Sequence, residues 1–171
     1  MPNPESAAVR DLVALYTQGS GIDIGCGRET VTPDAVGIDF PQEYNRGAQT
    51  AATIQGPWQD ILKTLSGLDF VFSSHLLEEY PDTSEVLVRW VSVLRPGGFL
   101  ILNLPIESKY LPYCTAHGIE PNRGHTIHWE GPDDFHSRFS GWLAEQLTLV
   151  VSGMVEPYSF FVVYQFGDGS Q

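Results

Sequence analysis

The chain has 171 residues, 42% of them hydrophobic, and a formal net charge of −12. That length and apolar content supply one domain with a full core, and they exclude a disordered chain or two comfortable domains. The acidity, with Lys63 and Lys109 as the only lysines, opposes contact with nucleic-acid phosphates or anionic lipid, so neither nucleic acid nor membrane is expected as a partner.

No apolar run approaches the roughly 20 residues of a membrane helix, and the opening MPNPESAAVR has no charged-then-apolar leader pattern. Cys26 and Cys114 lie far apart in unlike contexts, which points to a reducing compartment rather than a disulfide scaffold. The expectation is a soluble, cytoplasmic protein.

In chain order, the spacing of Val9, Leu12, Val13 and Tyr16 predicts a helix that closes on Gly19. GIDI (21–24) and AVGIDF (35–40) read as strands, and TAATI (50–54) as a third. WQDILKTLSG reads as a helix closing near Gly67, and LDFVFSS (68–74) as a buried strand. TSEVLVRWVSVLRPGG predicts a helix capped by Thr83 or Ser84. Val86, Leu87, Trp90, Val91 and Leu94 form its stripe, and Pro96-Gly97-Gly98 stops it. FLILNLP (99–105) is another buried strand. From Ile106 to Gly131 the chain is polar, aromatic and rich in histidine. PDDFHSRFSGWLAEQ reads as a helix started by Pro132, and LTLVVSGMVE and YSFFVVYQF as strands joined by a turn at Pro157.

Strands that alternate with helices, each a continuous apolar run, imply parallel strands covered on both faces. The last two strands have no helix between them and are expected to pair antiparallel. The predicted fold is α/β: a doubly wound, mostly parallel, Rossmann-like sheet of seven strands with an antiparallel C-terminal hairpin at its edge, in a single domain over residues 1–171. Such sheets bind ligands beyond the carboxyl ends of their strands, where the strand order switches.

Gly25, Cys26 and Gly27 follow the first strand at once. Glycine permits positive φ and removes the Cβ that holds a ligand away from the backbone; a plain turn is the other reading. Arg28, Glu29 and Thr30 follow where a dinucleotide fingerprint needs a third glycine. RETVTPDA also leaves little room for the helix that faces a pyrophosphate. A cofactor without phosphates fits better. Asp39 ends the second strand, where a carboxylate can accept two hydrogen bonds from a ribose diol.

Together these segments resemble the class I S-adenosylmethionine (SAM)-dependent methyltransferases, in particular the small type 11-like members. GIDIGCG looks like the family's first motif and GIDF like its second strand with the ribose acid. LDFVFSSHLLEEY looks like its fourth-strand motif, and LRPGGFLILNLP like the helix, turn and fifth strand that follow. The resemblance covers nearly the whole chain. It implies SAM as cofactor and a small molecule as methyl acceptor. By position, Gly25, Cys26 and Gly27 would pack against the methionine moiety and ribose. Asp23 would lie near the cofactor's amino end, and Asp39 would hold the ribose hydroxyls. Gln55 and Trp58 would flank the adenine, although Trp58 reads equally well as a core anchor. Ser74 would complete the cofactor wall.

His75 sits where the family's methyl-transfer cleft opens, as a general base, a substrate-orienting group or a structural histidine. Glu78 would meet a cationic substrate or the cofactor amine, or else begin a solvated helix. Tyr110, Tyr113, Arg123, His125 and His128, with Trp129, would form a polar, aromatic wall of the acceptor pocket. Cys114, His117, His125 and His128 have zinc-ligand chemistry but not the spacing of common zinc sites, so no metal is expected. Residues 1–20 provide roughly one helix, less than the N-terminal lid of many relatives. Closure would then fall to the loop after the fifth strand, to a partner in a homo-oligomer, or to a large acceptor. Two other functions stay open. One is a non-catalytic cofactor-binding or assembly partner on the same fold. The other is a nicotinamide-dependent oxidoreductase, which the missing glycine opposes.

Overall fold

β1 (Gly21–Ile24) is the centre from which the sheet grows in both directions. A computed structural model describes residues 5–41 and 50–167. Ahead of β1 lies α1 (Glu5–Val13), and after it come β2 (Val36–Asp39), β3 (Ile54–Gln55), α2 (Trp58–Ile61) and β4 (Leu68–Ser74). The chain continues through α3 (Thr83–Val91), β5 (Leu94–Pro105), α4 (Glu107–His117), α5 (Pro132–Ser137) and α6 (Gly141–Gln146) to β6 (Leu147–Val155) and β7 (Ser159–Phe166). The strands form one sheet in the order β3-β2-β1-β4-β5-β7-β6. Pairing is parallel from β3 to β5, and β7 runs antiparallel between β5 and β6. This is the mostly parallel α/β sheet that the run pattern implies.

Each face of the sheet carries its own core. On one, Ile22, Ile24, Leu100 and Leu102 pack against Trp58 of α2, Trp90 of α3, Phe135 of α5 and Leu143 of α6. On the other, Phe70, Phe72 and Ile101 pack against Val9 and Val13 of α1 and Val31 of the β1–β2 loop. Successive strand residues point to opposite faces, so Asp23 points to the α1 side.

Several boundaries depart from the sequence expectation. α1 stops at Val13, and Leu12, placed in its apolar stripe, is 50% exposed. Tyr16 lies beyond the helix and meets Phe99 edge-on. β3 is only Ile54–Gln55 rather than 50–54. Before it, Ala51 and Thr53 donate separately to the carbonyls of Gly27 and Gly37 instead of forming a ladder. α2 tightens after one turn into a 3-10 turn at Leu62–Thr64.

Asp82, not Thr83 or Ser84, caps α3; its carboxylate accepts from the Glu85 amide at 3.0 Å. That helix ends at Val91, and Leu94 already belongs to β5. Leu94 stays in register with the helical stripe because it enters the same core from a strand. Pro96-Gly97-Gly98 is therefore a bulge in β5 rather than a helix stop. Leu94 pairs with Leu68, and the register then jumps to Phe70 opposite Phe99. A Cβ at Gly98 would lie 2.9 Å from the Leu68 carbonyl oxygen and 3.1 Å from that of Asp69, so the bulge needs a bare backbone. The stretch after Ile106, given no element by the sequence, folds as α4 with Pro112 inside it. The single helix expected from Pro132 is broken into α5 and α6 by Ser140, whose backbone is extended at φ −146° and ψ 166°.

Candidate functional site

The strand order reverses direction between β1 and β4, and such a switch opens a crevice at the carboxyl ends of the strands. The glycine turn sits there. Gly25 and Gly27 have φ of 74° and 56°, the left-handed region that glycine enters without strain. Asp39, at the tip of β2, shapes the turn. Its Oδ2 accepts from the Gly27 amide at 2.8 Å and its Oδ1 from the Phe40 amide at 2.7 Å. Each oxygen keeps accepting capacity for a further donor.

Beside the turn is a cleft lined by Gly25, Asp39, Gly56, Trp58, Leu76 and Tyr80, among others, with about 20 Å³ of free volume. That is room for about one water. Leu76 closes it: a Cβ on Gly25 would come within 2.9 Å of Leu76 Cδ2, whereas one on Gly27 would meet nothing within 4 Å among the described residues. The bare backbone, the acid at the neighbouring strand tip and the aromatic wall have the chemistry to receive a nucleoside, and Leu76 must turn off Gly25 to admit one. Leu76 and Tyr80 were legible only as part of a motif, not as cleft walls.

The other residues expected at the cofactor are placed as follows. Asp23 is fully buried; its Oδ2 accepts from the Val31 amide at 2.6 Å, and its Oδ1 has no partner among the described residues. Burial pushes its carboxyl up to about 7, opposed by that amide. Burial likewise pushes the Cys26 thiol up to about 12, so it is an inert, neutral group. Gln55 is exposed at the sheet edge in register with Asp39. Trp58 is 4% exposed, donates from Nε1 to Tyr80 Oη at 2.8 Å, and packs edge-on against Tyr80 and Trp90. It is thus a core anchor that also walls the cleft. Ser74 is buried and accepts from Asn103 Nδ2 at 3.0 Å.

Beyond β4 the chain becomes crowded with titratable groups. His75 has φ of 52°, a strained conformation for a residue with a Cβ. Its ring bridges two elements: Nε2 hydrogen-bonds Ser159 Oγ at 2.8 Å, and Nδ1 lies 3.3 Å from Glu5 Oε1. Burial lowers its pKa, so the ring is neutral near pH 7. Glu78 does not begin a solvated helix; it is 0% exposed inside a 3-10 turn, and burial holds its carboxyl well above the usual range. His125 stands between two acids, with Nδ1 2.8 Å from Glu107 Oε2 and Nε2 3.3 Å from Glu78 Oε1. Tyr110 packs on His125 and Tyr158, and its hydroxyl accepts from the Asn122 amide.

Tyr113 stacks on His117 and packs on Tyr158. Tyr110, Tyr113 and His125 are therefore brought together. Arg123 and His128 are not: Arg123 is exposed and pairs with Glu120 at 3.5 Å, and the His128 side chain is exposed. Cys114, His117, His125 and His128 have separate surroundings, and among the described residues no His, Cys, Asp or Glu group is placed to hold a metal.

A second cavity, of about 310 Å³, opens between α1, the end of β5 and the β6–β7 turn. Glu5, Asn103, Tyr113, Glu156 and Tyr158 line it. Only Tyr113 was expected there. The one available signal was Asn103, a polar residue inside the apolar run FLILNLP. Glu5 and Tyr158, 153 positions apart, meet only through folding.

A methyltransferase-domain family matches residues 22–102. Trans-aconitate 2-methyltransferase of Deinococcus radiodurans is 28% identical over 137 residues, which cover 70% of this chain and 53% of that protein. The chain thus spans about half the length of that curated relative. The N-methyltransferase NodS from Bradyrhizobium japonicum superposes with a TM-score of 0.61 at 19% identity, over 95% of this chain and 94% of that one. The O-methyltransferase TomG from Streptomyces achromogenes, in complex with SAM, does so with a TM-score of 0.55 at 18% identity, over 98% and 81%. These two likenesses speak for the fold, and the matched residues contain the glycine turn, Asp39 and β4. Domain match and strand order agree with the resemblance to the class I SAM-dependent methyltransferases: residues 22–102 match a methyltransferase domain, on a sheet with the strand order of that fold.

Proposed function

We propose that this chain binds SAM in the switch-point crevice and transfers its methyl group to a small-molecule acceptor. The observation that carries the reading is the Gly25–Gly27 turn, whose Gly27 amide is bonded to the acid of the neighbouring strand tip. SAM, when bound, supplies a methyl carbon on a sulfonium for in-line displacement by the acceptor. The chain's own residues bind and orient. Asp39 has accepting capacity left for ribose hydroxyls. Gly27 lets a ligand approach the backbone, and Trp58 and Tyr80 provide aromatic walls.

His75 is buried and engaged with Ser159 and Glu5, and Glu78 is buried beside His125, which supports positioning roles. His75 ties α1 to β7 under the second cavity, where the acceptor would sit. An acceptor that is already a good nucleophile needs no base from the protein. The cytoplasmic setting is supported by the two free, buried cysteines; among the described residues no helix is long and apolar enough to cross a membrane.

Calorimetric titration with SAM, S-adenosylhomocysteine and NAD tests the reading. Binding of the two sulfur compounds without NAD is expected; binding of NAD alone overturns it. Asp39→Ala, shown by circular dichroism to be folded, should weaken S-adenosylhomocysteine by about 1.5–3 kcal/mol, the loss of charge-assisted hydrogen bonds. Unchanged affinity would remove Asp39 from the site.

A further inference from the structure

Resting on the methyl-transfer reading, we infer that the cavity between α1 and the β6–β7 turn is the acceptor subsite, and that it selects a small amine held through its ammonium group with an aromatic or apolar body. Its volume of about 310 Å³ falls within the roughly 300–1,000 Å³ of small-molecule pockets. Two carboxylates, Glu5 and Glu156, stand at it, and none of its described lining residues is Lys or Arg.

The independent pointer to a ligand is Asn103. This side chain is 1% exposed, and its Oδ1 has no hydrogen-bond partner among the described residues. Its Nδ2 is engaged, donating to Ser74 Oγ at 3.0 Å and to the Glu5 carbonyl at 3.4 Å. A buried acceptor left without a donor is costly, so the free oxygen calls for a donor from a ligand. Tyr158 offers no competing donor, because its hydroxyl already donates to Glu5 Oε1 at 3.3 Å. The rings of Tyr113 and Tyr158, with centroids 4.9 Å apart, wall the cavity. They present faces suited to an aromatic body or to a cation.

The polar groups that the cavity offers a ligand are thus acceptors, and mostly anionic. An ammonium brings three donors and a positive charge; a hydroxyl brings one donor and no charge; a carboxylate is repelled. The position suits the reaction as well. Asn103 pairs with Ser74 across the β4–β5 register, and β4 adjoins β1. Two strand spacings, about 10 Å, separate this site from the glycine turn, within the span of a cofactor lying over the β4 tip.

The test uses one ring with three tails: tyramine, tyrosol and 4-hydroxyphenylacetate, titrated calorimetrically into the protein with and without S-adenosylhomocysteine. Tyramine should bind at least tenfold tighter than tyrosol, and 4-hydroxyphenylacetate should give no binding heat. Glu5→Gln should cut the tyramine-over-tyrosol preference to below threefold. Glu156→Gln, on the exposed turn, should reduce it too and serves if Glu5→Gln fails to fold. Tyrosol or the carboxylate binding as tightly as tyramine, no tyramine binding at millimolar concentration, or a preference unchanged in a folded Glu variant would each overturn the inference. Failure of S-adenosylhomocysteine to bind would instead strike the methyl-transfer reading, while the amine preference of the protein alone still reports on the cavity.

Discussion

Asp23 shows how much a single side chain can hold against its own chemistry. It lies in the middle of β1, faces the α1 core, and uses one oxygen to fix the loop after the glycine turn at Val31. The other oxygen is unpartnered, and burial raises its carboxyl to about 7. A raised native value means that the fold prefers the protonated acid. The stabilisation is complete below about pH 4, the unfolded value, and is lost as pH climbs to about 7. Asp23→Asn keeps an acceptor for Val31 but never ionises. Its stability relative to wild type should therefore improve by about 2–4 kcal/mol between pH 4 and pH 8. Urea unfolding at both pH values measures this, and a pH-independent difference would show that folding leaves the Asp23 pKa unshifted. The sequence exposed the residue through its odd place between two isoleucines, but not its solvation, which depends on α1 and Val31 arriving from elsewhere.

At the scale of elements, the segment between α4 and α5 is docked on the β4 exit by Glu78. The Glu78 carbonyl accepts from the Thr126 and Ile127 amides at 2.8 and 3.0 Å, and its side chain faces His125, which also reaches Glu107 of α4. His125 is the side chain that stands between these two buried acids. Removing one partner of such a cluster strands the others without compensation. His125→Leu should cost about 3–5 kcal/mol in urea unfolding, more at pH 8 than at pH 5, where Glu78 more readily holds its proton. A loss below 1 kcal/mol at pH 8 would mean that the cluster does not anchor the segment. These contacts were invisible in the sequence, where His125 read as one of several loop histidines. The strands were legible, because a run such as LDFVFSS has no alternative but burial. Helix ends were not: a single aspartate cap at Asp82 and an extended Ser140 decided them, and neither changes the hydrophobic spacing.

Across the whole molecule, the sheet depends on its last strand lying inside it. β7 inserts between β5 and β6, and Phe160 to Tyr164 are all buried. A chain ending at Gln146 keeps every residue of the glycine turn and the cleft yet leaves β5 with a long, apolar, unpaired edge, a template for aggregation. Such a truncation should be insoluble, or lack near-ultraviolet circular dichroism and run as an aggregate by gel filtration. A monodisperse, cofactor-binding fragment would show that the parallel half folds alone. The amino-acid order by itself determined the α/β class, the antiparallel close, the glycine turn and its partner acid, because runs, glycines and strand-end acids act through neighbours in the chain. Only the tertiary structure decided that Leu76 covers Gly25, that His75 and Glu78 are enclosed, and that Glu5, Asn103 and Tyr158 share a cavity. Burial and pairing between residues up to 153 positions apart are properties of packed surfaces, which local spacing does not encode.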